Sequence, residues 1–256
     1  MKMKRLNSLL MLAAVACAAF SRPVFAEEGS FLQRIFFDDF ISLGAAACHE
    51  PLKTGIIAGG LTLATAAVFF NDLAISEAMK QKNAFNDVFF GAANMLGDGV
   101  YVLAADAFLF LGGDKEKRAA RLVIESLLVS GAVSQAVKLS TGRKRPSDEG
   151  PYVFMPFSAF DMSMPSGHAS TAFAWATVIG DTYDIGWLTY PLAALCGWAR
   201  VYRNAHWPSD VIAGAALGIF TAKAIMAAEA LPESRAFAAF RISESGQAYA
   251  CLNIRM

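Results

Sequence analysis

The chain has 256 residues, of which 55% are hydrophobic, 12% aromatic and 17% charged. This composition excludes a disordered polar tail, a collagen-like repeat and a disulfide-dense miniprotein, and it is sufficient for one large hydrophobic core. The 22 basic residues balance the 22 acidic ones, so the chain lacks the broad positive charge of a nucleic-acid-binding protein. We therefore expect no nucleic-acid partner, and we expect any bound anion to be held by a few placed cations.

The first 26 residues have the three parts of an export signal. A basic start, Lys2 to Arg5, precedes an apolar run from Leu9 to Phe20, and the segment ends at Ala26 with a pattern that a signal peptidase cleaves. An uncleaved anchor and a lipoprotein signal that uses Cys17 are the alternatives. The segment predicts export to the cell envelope.

Three cysteines remain after cleavage, in what would be an oxidising compartment. Cys48 and Cys251 lie near the two ends of the mature chain and could form a disulfide, whereas Cys196 lies in an apolar run and is expected to be a buried thiol. His49 stands between Cys48 and Glu50, but this spacing matches no common zinc pattern, so we expect no metal there.

Between residues 53 and 228, apolar segments alternate with short polar turns, a pattern typical of helices. We divide the chain into a signal peptide (1–26), an N-terminal segment (27–52), a helical domain (53–228) and a C-terminal tail (229–256). The predicted fold class is all-α, a bundle of six or seven helices. These helices are expected at residues 54–70, 85–96, 100–111, 119–139, 166–179, 185–201 and 208–228.

The C-terminal tail has a different pattern. Residues 236–243 and 247–255 alternate large apolar residues with small or polar ones around Glu244-Ser245-Gly246. Alternation on both sides of a turn predicts a short β-hairpin.

The helix lengths are compatible with two locations in the envelope. Residues 54–70 contain no charged residue. Most other segments are shorter than the roughly 20 apolar residues that are needed to span a bilayer, and they contain charged residues. A loop at residues 114–118, followed by Arg121, would suit a cytoplasmic turn. The alternatives are an inner-membrane protein with a site that faces the periplasm and a soluble periplasmic bundle near the membrane.

The first cluster of chemically active residues runs from Lys138 to Pro146. A lysine at the end of an apolar helix, a glycine turn and Arg145 before a proline could direct two cations at one point, and the arginine fork suits phosphate oxygens. By itself the cluster is also compatible with a solvated basic helix end.

The second cluster is Pro165-Ser166-Gly167-His168, at the start of an apolar helix. Ser166 is a good N-cap, and the free N–H groups of Gly167 and His168 would point out of the positive end of the helix, where an anion can bind. An ordinary capped helix would explain the cluster equally well.

The third cluster extends from Arg200 to Asp210. Pro208 is suited to begin the last helix, which would place His206 just before it and Asp210 in its first turn. A carboxylate beside one ring nitrogen holds the tautomer and leaves the other nitrogen free to attack. Alternatively, Asp210 only complements the helix dipole and His206 is a cap.

Taken together, the clusters closely resemble the three-part signature of the type 2 phosphatidic acid phosphatase superfamily. They contain Lys-x6-Arg-Pro, Pro-Ser-Gly-His and Arg-x5-His-x3-Asp in that order, and the resemblance covers about residues 53–228. The superfamily includes lipid phosphatases, undecaprenyl and phosphatidylglycerol phosphate phosphatases, bacterial class A acid phosphatases and vanadium haloperoxidases. Ala199 stands where the family usually has a serine, and the lost hydroxyl is expected to affect phosphate affinity more than reaction type.

The resemblance implies a phosphatase that hydrolyses a phosphate ester or a lipid (di)phosphate through a phosphohistidine, with no metal and no cofactor. It implies that His206 attacks phosphorus, that Asp210 orients it, and that His168 protonates the leaving group and then activates water. The phosphate-binding residues that it implies are Lys138, Arg145, Ser166, Gly167 and Arg200.

Two other functions stay open at this point. The same cations could hold vanadate and make a haloperoxidase, although the haloperoxidases of this family are much larger. A catalytically inactive lipid-binding homologue is the other alternative, against which the retained histidines and cations argue. The partner is expected to be a phosphorylated lipid or a small phosphate ester, with the membrane as anchor or source of substrate.

Substrate choice is expected to depend on segments outside the motifs, namely residues 27–52, 71–83 and 145–165. The last of these could line an apolar approach for a lipid or an aryl group with Tyr152, Phe154, Phe157 and Phe160.

Overall fold

The computed structural model describes residues 51–79, 82–158, 162–229, 237–242 and 248–253. The expected signal peptide, the N-terminal segment up to residue 50, the possible disulfide partner Cys48 and Phe160 lie outside these ranges.

Eight helices and two strands occur in the described part of the chain. The helices are α1 (Pro51–Phe69), α2 (Asp72–Ala78), α3 (Ala84–Met95), α4 (Gly99–Leu109), α5 (Asp114–Thr141), α6 (Gly167–Tyr183), α7 (Gly186–Tyr202) and α8 (Pro208–Glu229), and the strands are β1 (Phe237–Ile242) and β2 (Ala248–Asn253).

The all-α fold class is confirmed, and each of the seven predicted helices is present within a few residues of its predicted ends. The predicted count of six or seven was too low, because α2 begins at Asp72, between the helices predicted at residues 54–70 and 85–96. Its seven residues make only two turns of helix, too short a segment for an apolar period to be recognised.

The charged run at residues 114–118 is also helical, which corrects the prediction of a loop there. Asp114 and Glu116 lie in the first turn of α5, where acidic side chains complement the helix dipole. The carboxylate of Glu116 accepts a hydrogen bond from the Gly113 N–H at 2.9 Å. These charges therefore begin α5 rather than precede it.

The bundle is built around α6, which packs against α5, α7 and α8. Val178 of α6 is buried in one cluster with Val123 of α5 and Ile225 of α8. The approach of α8 is close: a Cβ at Gly214 would lie 2.3 Å from the Ser166 carbonyl oxygen, at the start of α6. This close contact brings the amino ends of α6 and α8 together.

A glycine ends α5 and turns the chain back. Gly142 has φ 55°, in the left-handed region, and a Cβ there would lie 1.7 Å from the Met155 carbonyl oxygen. The Met155 N–H in turn donates to the Gly142 carbonyl at 2.9 Å. The loop of residues 143–158 is therefore folded back against the carboxyl end of α5.

Two described helices are long and apolar enough to cross a membrane, α5 and the Pro208–Ala227 part of α8. Two bent pairs raise the number to as many as four if each pair is one span: Gly59–Phe69 with α2, at 69°, and α3 with α4, at 54°. In the tail, β1 and β2 pair antiparallel with Phe237 opposite Asn253, as the alternating pattern predicted.

Candidate active site

The three sequence clusters meet where the carboxyl ends of α5 and α7 approach the amino ends of α6 and α8. Lys138 lies in the last turn of α5 and Arg200 in the last turn of α7. His168 lies in the first turn of α6 and Asp210 in the first turn of α8. The Ser166 N–H donates to the Asp210 carbonyl at 2.9 Å, which joins the second cluster to the third.

The amino end of α6 supplies backbone donors to this region. Ser166 caps the helix, and its side chain accepts a hydrogen bond from the Ala169 N–H at 3.4 Å. A Cβ at Gly167 would meet no described atom within 4 Å, so open space borders this turn. Free N–H groups and the positive helix end make that space favourable for an anion.

His168 is surrounded by positive charge. Burial is the main cause that lowers the pKa of His168 to about 3. Nearby charges lower this pKa further, and they include those of Arg200, Arg145 and Lys138. All three predicted phosphate-binding cations are therefore close enough to act on one imidazole.

The two arginines keep part of their donor capacity. The Nε atoms of Arg145 and Arg200 are buried, yet neither donates to any residue that the structure describes. One amino group of Arg200 donates to the Asn94 side-chain oxygen on α3. Lys138 donates to the Met162 carbonyl at 3.2 Å. Buried donors without acceptors are costly, so an anion between these groups would be favoured.

His206 lies in the turn between α7 and α8 and is almost fully buried, with 3% of its surface exposed. Burial lowers the pKa of His206 to about 4, and the negative charge of Asp210 opposes this shift. His206 Nδ1 lies 3.7 Å from Asp210 Oδ2, close enough for an electrostatic interaction and too far for a hydrogen bond. The imidazole is therefore neutral at neutral pH, with Nδ1 toward the carboxylate.

Asp210 is held by several donors. Its Oδ2 accepts from the Trp207 N–H at 2.8 Å and from the Ser163 hydroxyl, and its Oδ1 accepts from Arg143 at 2.6 Å. Three hydrogen bonds therefore hold this carboxylate in place, and Arg143 is itself paired with Asp72 at 2.7 Å.

Sequence reasoning missed four of these contacting residues: Asp72, Asn94, Arg143 and Ser163. Arg143 lies within the first cluster, but a basic residue between Lys138 and Arg145 carries no mark that distinguishes a buried arginine from a solvated one. The other three lie outside every cluster, and no spacing in the sequence connects them to the site.

The departure at Ala199 has a structural explanation. Ala199 is fully buried and packs with Phe90, Ala93 and Tyr202, between α7 and α3. Its side chain therefore fills an apolar contact between two helices.

Aromatic side chains cover the loop beside the site. Phe69, at the end of α1, contacts the ring of Tyr152 at 5.2 Å and that of Phe154 at 6.1 Å. Tyr152 is 55% exposed and Phe157 is 81% exposed. Phe69, Tyr152 and Phe154, together with the exposed Phe157 farther along the same loop, are what we call the aromatic patch.

Parts of this chain are similar to known proteins. Residues 119–231 match the model of the PAP2 superfamily. A lipid A 1-phosphatase from Rhizobium etli is 33% identical over 147 residues, which are 48% of this chain and 62% of that protein. The chain thus aligns with less than two thirds of the length of this relative.

Two solved structures have a similar fold. The crystal structure of LpxE from Aquifex aeolicus has a TM-score of 0.51 and 25% identity, and the match covers 61% of this chain and 94% of that one. A transmembrane PAP2-type phosphatidylglycerolphosphate phosphatase from Bacillus subtilis has a TM-score of 0.54 and 20% identity, over 69% and 98% of the two chains. The helical fold is therefore similar to that of these two proteins, and residues 119–231 are similar to the PAP2 superfamily, the type 2 phosphatidic acid phosphatases that the three motifs resemble.

Proposed function

We propose that this protein is a metal-independent lipid phosphate phosphatase of the bacterial inner membrane that works through a phosphohistidine. The observation that carries the proposal is the meeting of Lys138, Arg145 and Arg200 around two neutral histidines at the amino end of α6. The similarity to a protein named lipid A 1-phosphatase supports a phosphorylated lipid as the class of substrate.

In the first step, His206 Nε2 attacks phosphorus and the bond between phosphorus and the leaving oxygen breaks. A neutral imidazole is required for attack, and burial keeps His206 neutral at neutral pH. Asp210, beside Nδ1, stabilises the positive charge that the ring acquires. Lys138, Arg145 and Arg200, with the Ser166 hydroxyl and the Gly167 N–H, bind the phosphoryl oxygens as their charge is redistributed.

His168 gives its proton to the leaving oxygen in this step. In the second step His168 takes a proton from water, the resulting hydroxide attacks the phosphohistidine, and phosphate leaves as His206 is released. The leaving alcohol or phosphate thus takes one proton from His168. His168 regains a proton from the attacking water.

The low pKa of His168 in the free protein fits this role only when substrate is bound. The cations that depress this pKa are the ones that a phosphate group would neutralise. An anion beside the imidazole favours its charged form, so His168 becomes an effective acid when the substrate arrives.

The location proposed for the protein is the inner membrane, with the site toward the periplasm. The two apolar helices α5 and α8 support this location, and the aromatic patch beside the site supports a lipid substrate. The export signal predicted at residues 1–26 supports the periplasmic side.

Phosphate release and trapping of the phosphoenzyme test the proposal. The purified protein in detergent should release phosphate from lipid A, phosphatidic acid and p-nitrophenyl phosphate, and EDTA should leave the rates unchanged because side chains carry every charge in the reaction. Vanadate without peroxide should inhibit, since it adopts the five-coordinate geometry of the transition state.

The two histidine variants separate the roles. His168→Ala should still be phosphorylated by p-nitrophenyl phosphate, whose leaving group needs no proton, and should accumulate acid-labile phosphate. His206→Ala should trap none, because it lacks the nucleophile. Trapping by His206→Ala alone would reverse the assignment, and a loss of activity in EDTA that divalent metal restores would refute the metal-free mechanism.

A further inference from the structure

Behind the two histidines lies a buried cluster of charges that the three motifs do not explain. Arg143, Asp72 and Asp210 are each fully buried. Arg143 donates to Asp210 Oδ1 at 2.6 Å with one amino group and to Asp72 Oδ2 at 2.7 Å with the other. One guanidinium therefore joins two carboxylates from different helices.

The Asp72 side of this cluster is tied to the start of α8. The Ser209 N–H donates to Asp72 Oδ1 at 2.8 Å, and the Ser209 hydroxyl donates to Asp72 Oδ2 at 2.6 Å. Arg143 also donates to the Ser209 hydroxyl oxygen at 2.8 Å. Ser209 directly precedes Asp210. Asp72 therefore binds both Arg143, which contacts Asp210, and the backbone next to Asp210.

The cluster is closed off from water. The rings of Phe69, Phe154 and Trp207 lie 4.7, 5.6 and 5.8 Å from the guanidinium carbon of Arg143. Arg143 also donates to the Pro151 carbonyl at 3.0 and 2.8 Å through two of its nitrogens. Charges in such surroundings act on one another much more strongly than exposed charges do.

The donors at Asp210 are divided between its two oxygens. Arg143 donates to Oδ1 of Asp210, whereas the Trp207 N–H and the Ser163 hydroxyl donate to Oδ2. Oδ2 is also the oxygen that lies 3.7 Å from His206 Nδ1. The carboxylate cannot rotate without breaking a bond to Arg143. Arg143, together with Trp207 and Ser163, therefore fixes the direction in which Asp210 faces the imidazole.

We propose that Arg143 and Asp72 are positioning residues for the reaction: they hold the Asp210 carboxylate toward His206 and, through its charge, set the affinity of His206 for a proton. This rests on the proposed function insofar as His206 is the nucleophile. Arg143 and Asp72 are fully buried and paired with each other, and Arg143 is paired with Asp210, so both would act through Asp210.

Loss of the charge of Arg143 and loss of the charge of Asp72 should change the proton affinity of His206 in opposite directions. Other charged or titratable groups that face His206 are Lys138 from α5, Arg200 from α7 and His168 from α6. Removal of the positive charge of Arg143 leaves Asp210, beside the imidazole, and Asp72 without a compensating cation, and it raises the proton affinity of His206. Removal of the negative charge of Asp72 leaves Asp210 as the one carboxylate that Arg143 pairs with. Arg143 then offsets more of the negative charge of Asp210, and the proton affinity of His206 falls.

The test uses the full-length protein with isotope-labelled histidine, of which the chain has three. The His206 resonance is assigned by its absence in His206→Gln, and its titration is followed by NMR in Arg143→Met and Asp72→Asn. We expect the midpoint to rise by about one pH unit or more in Arg143→Met and to fall in Asp72→Asn. A matched control is Glu125→Gln, which alters a buried carboxylate paired with Arg121 about 20 Å along α5 from Lys138.

Turnover of p-nitrophenyl phosphate gives a second measurement on the same variants. We expect kcat to fall about 10- to 100-fold in Arg143→Met with little change in KM, as for other residues that orient a catalytic imidazole. Glu125→Gln should leave both the midpoint and kcat unchanged. Asp72→Asn keeps an oxygen that can accept from Ser209, so it remains decisive if Arg143→Met does not fold.

Midpoints that coincide with the wild type in both variants, or that move in the same direction, would overturn the proposal. The titration needs no turnover, so it tests the positioning role even if the wild type releases no phosphate. An inactive wild type would refute the proposed function, whereas an active wild type with unmoved midpoints would refute this inference alone.

Discussion

At the scale of single residues, the site depends on groups whose charge differs from what is usual at neutral pH. Burial lowers the pKa of both His168 and His206, so the free protein presents two neutral imidazoles to three cations. In the proposed mechanism, this arrangement prepares His206 for attack but leaves His168 without the proton that it must donate. The missing proton must therefore arrive with, or because of, the bound anion.

This requirement predicts that binding of an anion is coupled to uptake of a proton. Sulfate is a suitable probe, because it is tetrahedral and stays fully ionised from pH 4 to pH 8. Between the lowered pKa of His168, about 3, and its ordinary value, about 6.5, a bound dianion should raise the pKa and draw up to about one proton per site. Calorimetry in buffers of different ionisation enthalpy measures this number.

The control for proton uptake is His168→Gln, which keeps a polar side chain but cannot titrate. Uptake near pH 5 should disappear in this variant while some sulfate binding remains, since Lys138, Arg145 and Arg200 are intact. If the wild type binds sulfate with no buffer dependence, His168 does not respond to the anion and is not the acid.

At the scale of elements, the carboxyl end of α5 determines where the first cluster lies. Gly142 allows the chain to leave the helix in a left-handed conformation and to pass within contact of the Met155 carbonyl. Arg143 and Arg145 come directly after this turn. Arg143 donates to Asp210, and the charge of Arg145 acts on His168. A change at this one turn should therefore affect both stability and catalysis.

Gly142→Ala is expected to lower the free energy of unfolding by at least about 1–3 kcal/mol, the cost of a strained backbone, because an alanine disfavours this φ. The added Cβ also collides with the Met155 carbonyl, so the loop of residues 143–158 must move and kcat should fall. Unfolding in denaturant and turnover of p-nitrophenyl phosphate measure the two effects.

Gly131→Ala is the matched control in the same helix. Gly131 is exposed in the middle of α5, and a Cβ there meets nothing within 4 Å. Alanine should stabilise this position by about 0.5–1 kcal/mol without an effect on turnover. Equal effects of the two substitutions would show that the turn at Gly142 has no special role.

At the scale of the whole molecule, the phosphate site and the aromatic patch lie next to each other. Arg143 contacts Phe69 and Phe154 of the aromatic patch with its guanidinium and also donates to Asp210, so one residue connects the patch to the site. A lipid phosphate has a charged head and apolar chains. The molecule offers cations for the first and exposed aromatic rings for the second.

We therefore expect Phe157→Asn to raise KM for phosphatidic acid in detergent micelles by roughly 10-fold, the effect of losing about 1.4 kcal/mol of apolar contact. Turnover of p-nitrophenyl phosphate should not change. Asparagine is chosen because Phe157 has φ 60°, a conformation that this residue tolerates.

Trp187→Gln serves as the control for general attachment to the micelle. Trp187 is 76% exposed near the start of α7, about 20 Å along that helix from Arg200. Its loss should change KM less than Phe157→Asn does. An equal effect of both variants would mean that the patch binds micelles rather than the chains of the substrate.

The sequence by itself determined the helices and the motif residues. Apolar runs between polar turns predicted all seven longer helices, because a helix buried on several sides is apolar over its length. The three motifs could be recognised because each is local. Each places a lysine or arginine at a helix end, or a cap and a histidine at a helix start, and none is longer than the 11 residues from Arg200 to Asp210. Their roles remain predictions.

Only the tertiary structure decided which other residues complete the site. Asp72 and Ser209 are 137 residues apart in the chain, Asn94 and Arg200 are 106 apart, and Arg143 and Asp210 are 67 apart. Nothing in a local pattern distinguishes a buried Arg143 from an exposed basic residue, because its burial depends on two carboxylates and three aromatic rings that other segments supply. The contact partners of a charge are a property of the packed helices, and packing is what brings distant segments within hydrogen-bonding range.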